Sequence, residues 1–243
     1  MSLFVLSDTH LSTSDSKPMD VFGRRWQGYT EKLRRNWNAV VSSEDTVVVP
    51  GDISWAMFHD GALGDLAFIN ALNGKKLIGK GNHDYWWTSM KKLGALLEAN
   101  NINTIDFLYN NAYFAEDFII TGTRGWYIDV SSANAPDGAD YDKIVAREAA
   151  RFELSLKAAE KLRAEHPDAE MLAFFHFPPV YNGYVCRPII ELLHKYGIRR
   201  TYYGHIHGVY DIPRSISFED IRFTIASADY LNFTPLMIAP SDS

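Results

Sequence analysis

Short apolar runs alternate along this chain with longer stretches in which apolar residues recur every three or four positions. Leu3-Phe4-Val5-Leu6, Thr46-Val47-Val48-Val49, Lys76-Leu77-Ile78 and Met171-Leu172-Ala173-Phe174-Phe175 are too short for amphipathic helices and predict buried strands. Further strands are predicted at 104–108, at 118–122 and around Thr201-Tyr202-Tyr203. Between them the helical period predicts helices over 29–41, with Leu33, Trp37, Val40 and Val41 on one side, and over 60–72, 86–100, 141–165 and 188–196. Pro167 stops the fourth and Gly197 the fifth. The rest, 200–238, reads as short strands, and segments 11–28 and 122–142 as irregular. Strand–helix alternation of this kind is the mark of an α/β protein. With no repeat, low-complexity tract or linker in view, the 243 residues are expected to form one domain, 1–243.

The polar residues that follow these runs change the picture. Asp8-Thr9-His10 follows the first run and Gly51-Asp52 the second. Gly81-Asn82-His83-Asp84 follows the third, His176 closes the run at 171–175, and Gly204-His205-Ile206-His207 follows Tyr203. Asp8, His10, Asp52, Asn82, His176, His205 and His207 thus offer oxygen and imidazole donors at the ends of five strands, a set suited to Mn, Fe, Zn, Ni or Co. Seven such groups exceed the needs of one open catalytic ion and fit two ions sharing a bridging carboxylate, which points to a two-metal hydrolase. Residues two apart in an extended chain project to one side, so Asp8 and His10 are expected to close on one ion. The loops at the carboxyl ends of strands in an open α/β sheet form the ligand crevice.

Composition bounds the partners. The apolar fraction is 47% and the net charge is −6, which argues against a general nucleic-acid footprint. Two divalent ions would still make the site itself locally positive and attractive to phosphate. The single cysteine, Cys186, permits no intramolecular disulfide and is expected to be a packing residue. Residues 1–6 carry no basic segment and read as a core strand rather than a signal peptide, and no apolar stretch approaches the ~20 residues that span a bilayer. The expected location is cytoplasmic, with no membrane partner.

The order and spelling of the five motifs, from Asp8 to His207, resemble the calcineurin-like metallophosphoesterase family. The resemblance implies a four-layer αββα sandwich holding two divalent transition-metal ions, with Mn, Fe or Zn expected. It assigns Asp8, His10 and His207 to the first ion, Asn82, His176 and His205 to the second, and Asp52 to both as the bridge. It places His83 outside the metals, facing the substrate phosphate and leaving group. The implied reaction is in-line attack by a metal-bridging hydroxide on a small phosphodiester or pyrophosphate. A phosphomonoesterase, or a metal-binding regulatory module with weak catalysis, is the alternative. The chain departs from the protein-phosphatase branch at Trp55, where that branch has an Asp orienting the substrate-facing His, and at Asp84, where it has Glu. What orients His83 is therefore open: Asp84 or a backbone carbonyl.

Other residues carry two readings each. Arg124, in a glycine-flanked turn, would bind a substrate phosphate or form a structural ion pair. Arg24 and Arg25, with Trp26, would form a lid or a solvated loop. Trp55, Trp86 and Trp87 are expected to support the metal loops more than to stack substrate. Asn182 and Tyr184 are candidates for substrate contact by position alone. His59, His166 and His194 read as surface residues.

Overall fold

In the computed structural model, which describes residues 1–13, 17, 19–127 and 138–240, alternation within the strands decides the layering. The elements are β1 (Leu3–Val5), α1 (Tyr29–Val40), β2 (Thr46–Val49), α2 (Leu63–Asn70), β3 (Lys75–Ile78), α3 (Met90–Ala99), β4 (Ile105–Phe107), β5 (Ala112–Ala115), β6 (Phe118–Thr123), α4 (Gly138–Glu165), β7 (Glu170–Phe175), β8 (Val180–Tyr181), β9 (Tyr184–Val185), α5 (Arg187–Tyr196), β10 (Arg200–Tyr203), β11 (Ser215–Phe218), β12 (Ile221–Ile225) and β13 (Leu236–Ile238). Short 3₁₀ turns at Met19–Phe22 and Arg24–Trp26 precede α1.

One sheet runs β13-β1-β2-β3-β4, parallel except for β13; the other runs β11-β12-β10-β7-β6-β5, parallel except for its two edge strands. Phe4, Val47, Val49 and Ile78 turn outward onto Leu33, Trp37, Leu66, Ile69, Leu93 and Leu97 of α1–α3. Their neighbours Leu3, Val5, Val48 and Leu77 turn inward and meet Phe118, Ile120, Leu172 and Phe174 of the second sheet. Ile119, Ala173 and Phe175 face the other way, onto Phe152 and Leu156 of α4 and Ile189, Ile190 and Leu193 of α5. Because side chains alternate across a strand, strands that are apolar at every position must be covered on both faces. The result is helix, sheet, sheet, helix, the four layers expected.

The expected strands and helices are present, two of the helices being shorter: α2 covers 63–70 rather than 60–72, and α3 begins at Met90 because Trp86 and Trp87 belong to the turn before it. α4 begins at Gly138, and residues 128–137 of the 122–142 break lie outside the described residues. The reading of the chain contained neither the edge strand β5 nor the β8–β9 hairpin. The hairpin turns on Asn182-Gly183, both at positive φ, a tight-turn signature that explains these residues without substrate. Among the described residues no helix is long and apolar enough to cross a membrane.

The sheets are stitched together where the parallel strands end. Ser7, just past β1, bridges in parallel to Ser227, just past β12. Its N–H donates to Ala226 O at 2.8 Å, and its carbonyl accepts from Ala228 N at 2.9 Å. Within the first sheet, a parallel bridge from Leu11 to Ser54 likewise ties together the loops that follow β1 and β2. The carboxyl ends of β1, β2, β3, β7 and β10 therefore open onto a single crevice.

Candidate metal centre

All seven sequence-predicted donors meet in that crevice. His207 Nε2 lies 3.3 Å from Asp8 Oδ1 and 3.2 Å from His10 Nε2, so Asp8, His10 and His207 form one cluster. His176 Nε2 and His205 Nδ1 lie 2.7 and 3.0 Å from Asn82 Oδ1, forming a second. Asp52 Oδ2 stands between them, 3.6 Å from His10 Nε2 and 3.5 Å from His176 Nε2. Its other oxygen accepts the His83 backbone N–H at 2.8 Å, which fixes the carboxylate. Asp8 also reaches toward the second cluster, with Oδ1 3.8 Å from His176 Nδ1.

The loops achieve this convergence by a route different from the expected one. Asp8 and His10 do not close together by extended geometry: their φ angles are 65° and 44°. Asp52 and His205 also have positive φ, 52° and 69°. Non-glycine residues in this region are strained, at a cost of order 1–3 kcal/mol each, and persist only where the surroundings over-determine them. Here the restraints are visible. Asp8 N and His10 N donate to Gly51 O and Asp52 O, each at 2.9 Å, and His205 N donates to both Asp8 oxygens at 3.0 Å. Two motif glycines are required by close approach. A Cβ on Gly81 would lie 2.0 Å from Asp52 Oδ1, and one on Gly204 would lie 2.2 Å from Ser7 Oγ.

Asp84 explains much of this order, in a role the sequence did not assign. Its buried carboxylate accepts N–H groups from Asp52, Ile53, Ser54 and Gly81, and the Trp86 indole N–H, at 2.7–3.2 Å. It clamps the Asp52 loop to the Asn82 loop and is fully engaged there, so it does not orient His83. Nor does a backbone carbonyl among the described residues, where His83 Nδ1 is buried with no hydrogen-bond partner. The His83 ring packs on Trp55, centroids 4.2 Å apart, and Trp55 stacks in turn on His10 at 5.1 Å. An aromatic contact thus stands where the protein-phosphatase branch has a carboxylate.

The sequence reading also missed Asp229. This fully buried residue lies 2.8 Å from His207 Nδ1 and accepts from Gly208 N and Tyr210 Oη at 3.0 and 3.1 Å. A carboxylate behind an imidazole ligand fixes the tautomer and raises its basicity. The available signal was an acidic residue just past the alternating, strand-like stretch 221–226, a weaker signal than the continuous apolar runs before the other donors.

Charge is unevenly settled. Burial would raise the Asp8 pKa, but His207, His176 and His10 hold it well below the usual carboxylate range. Burial pushes Asp52 well above it, with Asp84 and Asp8 adding repulsion. Burial would lower His207, yet Asp8 and Asp229 raise it to about 10. Burial drives His10 and His176 down, and His205 to about 4. A proton on His207 does part of what a cation would do between Asp8 and Asp229. The donor set fits metal ions on this structure's own terms: carboxylate oxygens and imidazole nitrogens crowd together at 3.2–3.6 Å, and among the described residues His10 Nδ1 and His176 Nδ1 are buried with no hydrogen-bond partner. Asp8, His10 and His207 form one group able to hold an ion, and Asp8, Asp52 and His176 another.

The remaining candidates separate. Arg25 donates to Asp229 O at 2.8 Å and stacks on Tyr210, pinning the 19–26 segment as a wall, while Arg24 is exposed. Tyr184 is buried, bonded to Trp126 O and Tyr141 Oη, and packs rather than facing the crevice. Trp86 is buried under the Asp84 clamp, and Trp87 packs on Phe107 and Tyr109. Arg124 lies 3.5 Å from Glu148 in a small cleft shared with Lys80 and Arg151, its Nε without a partner. Cys186 is buried. His59 pairs with Asp60, His166 stacks on Phe114, and His194 pairs with Glu219, all away from the crevice.

Comparison with known proteins now bears on this geometry. The chain aligns with a protein of unknown function, AQ665 from Aquifex aeolicus, at 17% identity and TM-score 0.50, over 97% of this chain and 95% of that one. It aligns with TT1561 of Thermus thermophilus at 9% identity and TM-score 0.55, over 94% and 89%. Both likenesses are of fold alone. Among curated proteins none matches. The calcineurin-like phosphoesterase profile matches residues 1–209, which include all seven donors and His83. The chain belongs to that family and is a metal-dependent phosphohydrolase acting on ester bonds.

Proposed function

We propose that the protein hydrolyses a small phosphodiester or pyrophosphate at a dinuclear centre, within a single domain spanning 1–243. One observation carries the dinuclear reading: Asp52 Oδ2 stands within 3.6 Å of an imidazole nitrogen from each cluster. Asp8, His10 and His207 would hold one ion and Asn82, His176 and His205 the other, with Asp52 shared. When bound, two divalent ions neutralise phosphoryl charge and make hydroxide available at neutral pH for in-line displacement. Mn, Fe or Zn suits the oxygen and imidazole donors. Support for one domain comes from β13, which lies beyond the family match yet completes the first sheet against β1.

The protein's own groups supply the rest. The Asp84 clamp presets the spacing of the Asp52 and Asn82 loops, so no loop reorganisation accompanies reaction. Burial lowers the His83 pKa, so the ring is neutral at neutral pH and acts as an N–H donor toward the leaving oxygen. Its pose comes from Trp55, which brings no negative charge. Arg124, on the Asn82 side, is the cation proposed to meet the substrate phosphate, and Glu148 already neutralises part of its charge. Lys17, whose Nζ lies 4.1 Å from the centroid of the Trp55 ring, adds a cation on the His83 side, and two side-chain cations, one of them already paired, still suit a diester with one negative charge better than a monoester with nearly two.

The test is metal analysis together with paired kinetics. Fully loaded protein is expected to hold two ions per chain. With Mn²⁺, bis-p-nitrophenyl phosphate should exceed p-nitrophenyl phosphate in kcat/KM once each is divided by its uncatalysed rate. One ion per loaded chain sinks the dinuclear reading. A corrected tenfold preference for the monoester, about 1.4 kcal/mol, sinks the substrate assignment.

A further inference from the structure

Beside the metal centre the protein keeps a second kind of surface. A cavity of about 380 Å³ has Met19, Phe22, Trp26 and Trp55 as walls and the rings of His10 and His83 on its floor. Its polar handles are spent inward: the Trp55 indole N–H points at Met19 Sδ, 3.2 Å away. Trp26 is fixed edge-on against His10 and His207, with centroids 5.8 and 5.7 Å away, and is itself buried. Phe22 differs from these. It is 62% exposed on the rim, too open to count as core. Its open ring extends the apolar wall of the cavity to the solvent edge, where an apolar group entering the cavity would cover it.

The volume falls in the range of small-molecule pockets, which are mostly apolar with a few polar groups that fix orientation. The position of the cavity says which part of a substrate would enter. His83 borders it, and the metal donors lie beneath it, so a phosphorus held over the donors projects one ester arm past His83 into the cavity. We propose that this cavity is a leaving-group subsite, and that the substrates are phosphate esters whose departing alcohol carries an alkyl or aryl body. As the oxygen–phosphorus bond from hydroxide forms, the bond to the leaving oxygen breaks. The electron pair stays on that oxygen, which the neutral His83 ring stabilises by donating an N–H hydrogen bond and which then takes its proton from water. This rests on His83 being the leaving-group donor.

The experiment is competitive inhibition by n-alkylphosphonates, methyl through hexyl, of the metal-loaded enzyme turning over a generic phosphate ester. Each methylene buried in the cavity should lower Ki about fourfold until the cavity is full. Phe22→Ser should flatten the dependence on chain length, and Phe22→Leu should keep most of it. Phe58→Ser, at a residue 76% exposed and outside the cavity, should leave the slope intact. Comparing slopes within each protein cancels any general change in the site. A flat series in the wild type overturns the proposal, and so does a slope that Phe22→Ser does not alter. The inhibition series does not depend on the diester assignment. If His83→Ala kept full turnover while the slope persisted, the donor reading would fail and the cavity would bind some other part of the substrate.

Discussion

The two donor clusters look alike by count and differ in charge and support. Asp8, His10 and His207 combine a carboxylate with two imidazoles, and Asp229 backs His207 at 2.8 Å. Asn82, His176 and His205 combine an amide with two imidazoles, and His176 Nδ1 has no hydrogen-bond partner among the described residues. The first cluster gathers negative charge, enough to hold a proton on His207 up to about pH 10. The second has no carboxylate of its own and meets only Asp52, which it shares, and Asp8 at 3.8 Å, while burial pushes its histidines toward the uncharged form. If each cluster holds an ion, charge and support rather than donor number are expected to set its affinity. The first site should bind its ion tightly and the second more weakly, leaving the second ion freer to exchange ligands with substrate.

Removing what the clusters share should have the largest effect. Asp52→Asn is expected to lose most of both ions and with them nearly all turnover, as read by metal analysis and kinetics on the same sample. If one ion stayed fully bound, Asp52 would belong to a single cluster. Next comes a change that leaves both clusters whole. His83→Ala should retain the metals and lose about 10²–10⁴ in kcat. A collapse of metal content in that variant would make His83 a ligand.

Two smaller effects sharpen the asymmetry itself. Asp229→Asn should weaken the first ion by about 10–100-fold, the usual cost of losing a partner behind a ligating histidine, and leave the second ion nearly unaffected. Equal weakening of both would show that Asp229 acts through the fold instead. Titrating the wild type with a chelator should remove the ions in two stages, the Asn82-side ion first. Asn82→Asp, which adds a carboxylate to the neutral cluster, should bring the stages together. Simultaneous loss in the wild type would mean that the clusters do not differ in affinity.

The crevice was legible because its donors follow apolar runs, and a strand end is a local event. Period and composition also set the helices and the α/β class, whereas the four layers were expected from the resemblance to the family and not from the pattern itself. β5 escaped notice because an edge strand, with Tyr113 and Phe114 beside two alanines, lacks a continuous buried run. The β8–β9 hairpin was hidden by reading Asn182 as a possible ligand contact when Asn-Gly is a turn signal.

What the sequence determined by itself is the list of donors, their order and the architecture that brings strand ends together, because each depends on residues close in the chain. Tertiary structure alone decided how the donors are aimed and backed. Asp8 and His10 converge through left-handed kinks held by the backbone of the Asp52 loop, more than forty residues away. Asp84 clamps the neighbouring loops instead of orienting His83, because five donors converge on its buried carboxylate. Asp229 reaches His207 only because β12 lies beside β10 in the second sheet. Such partnerships arise where loops from different strands meet, and no periodicity along the chain encodes which loop will face which.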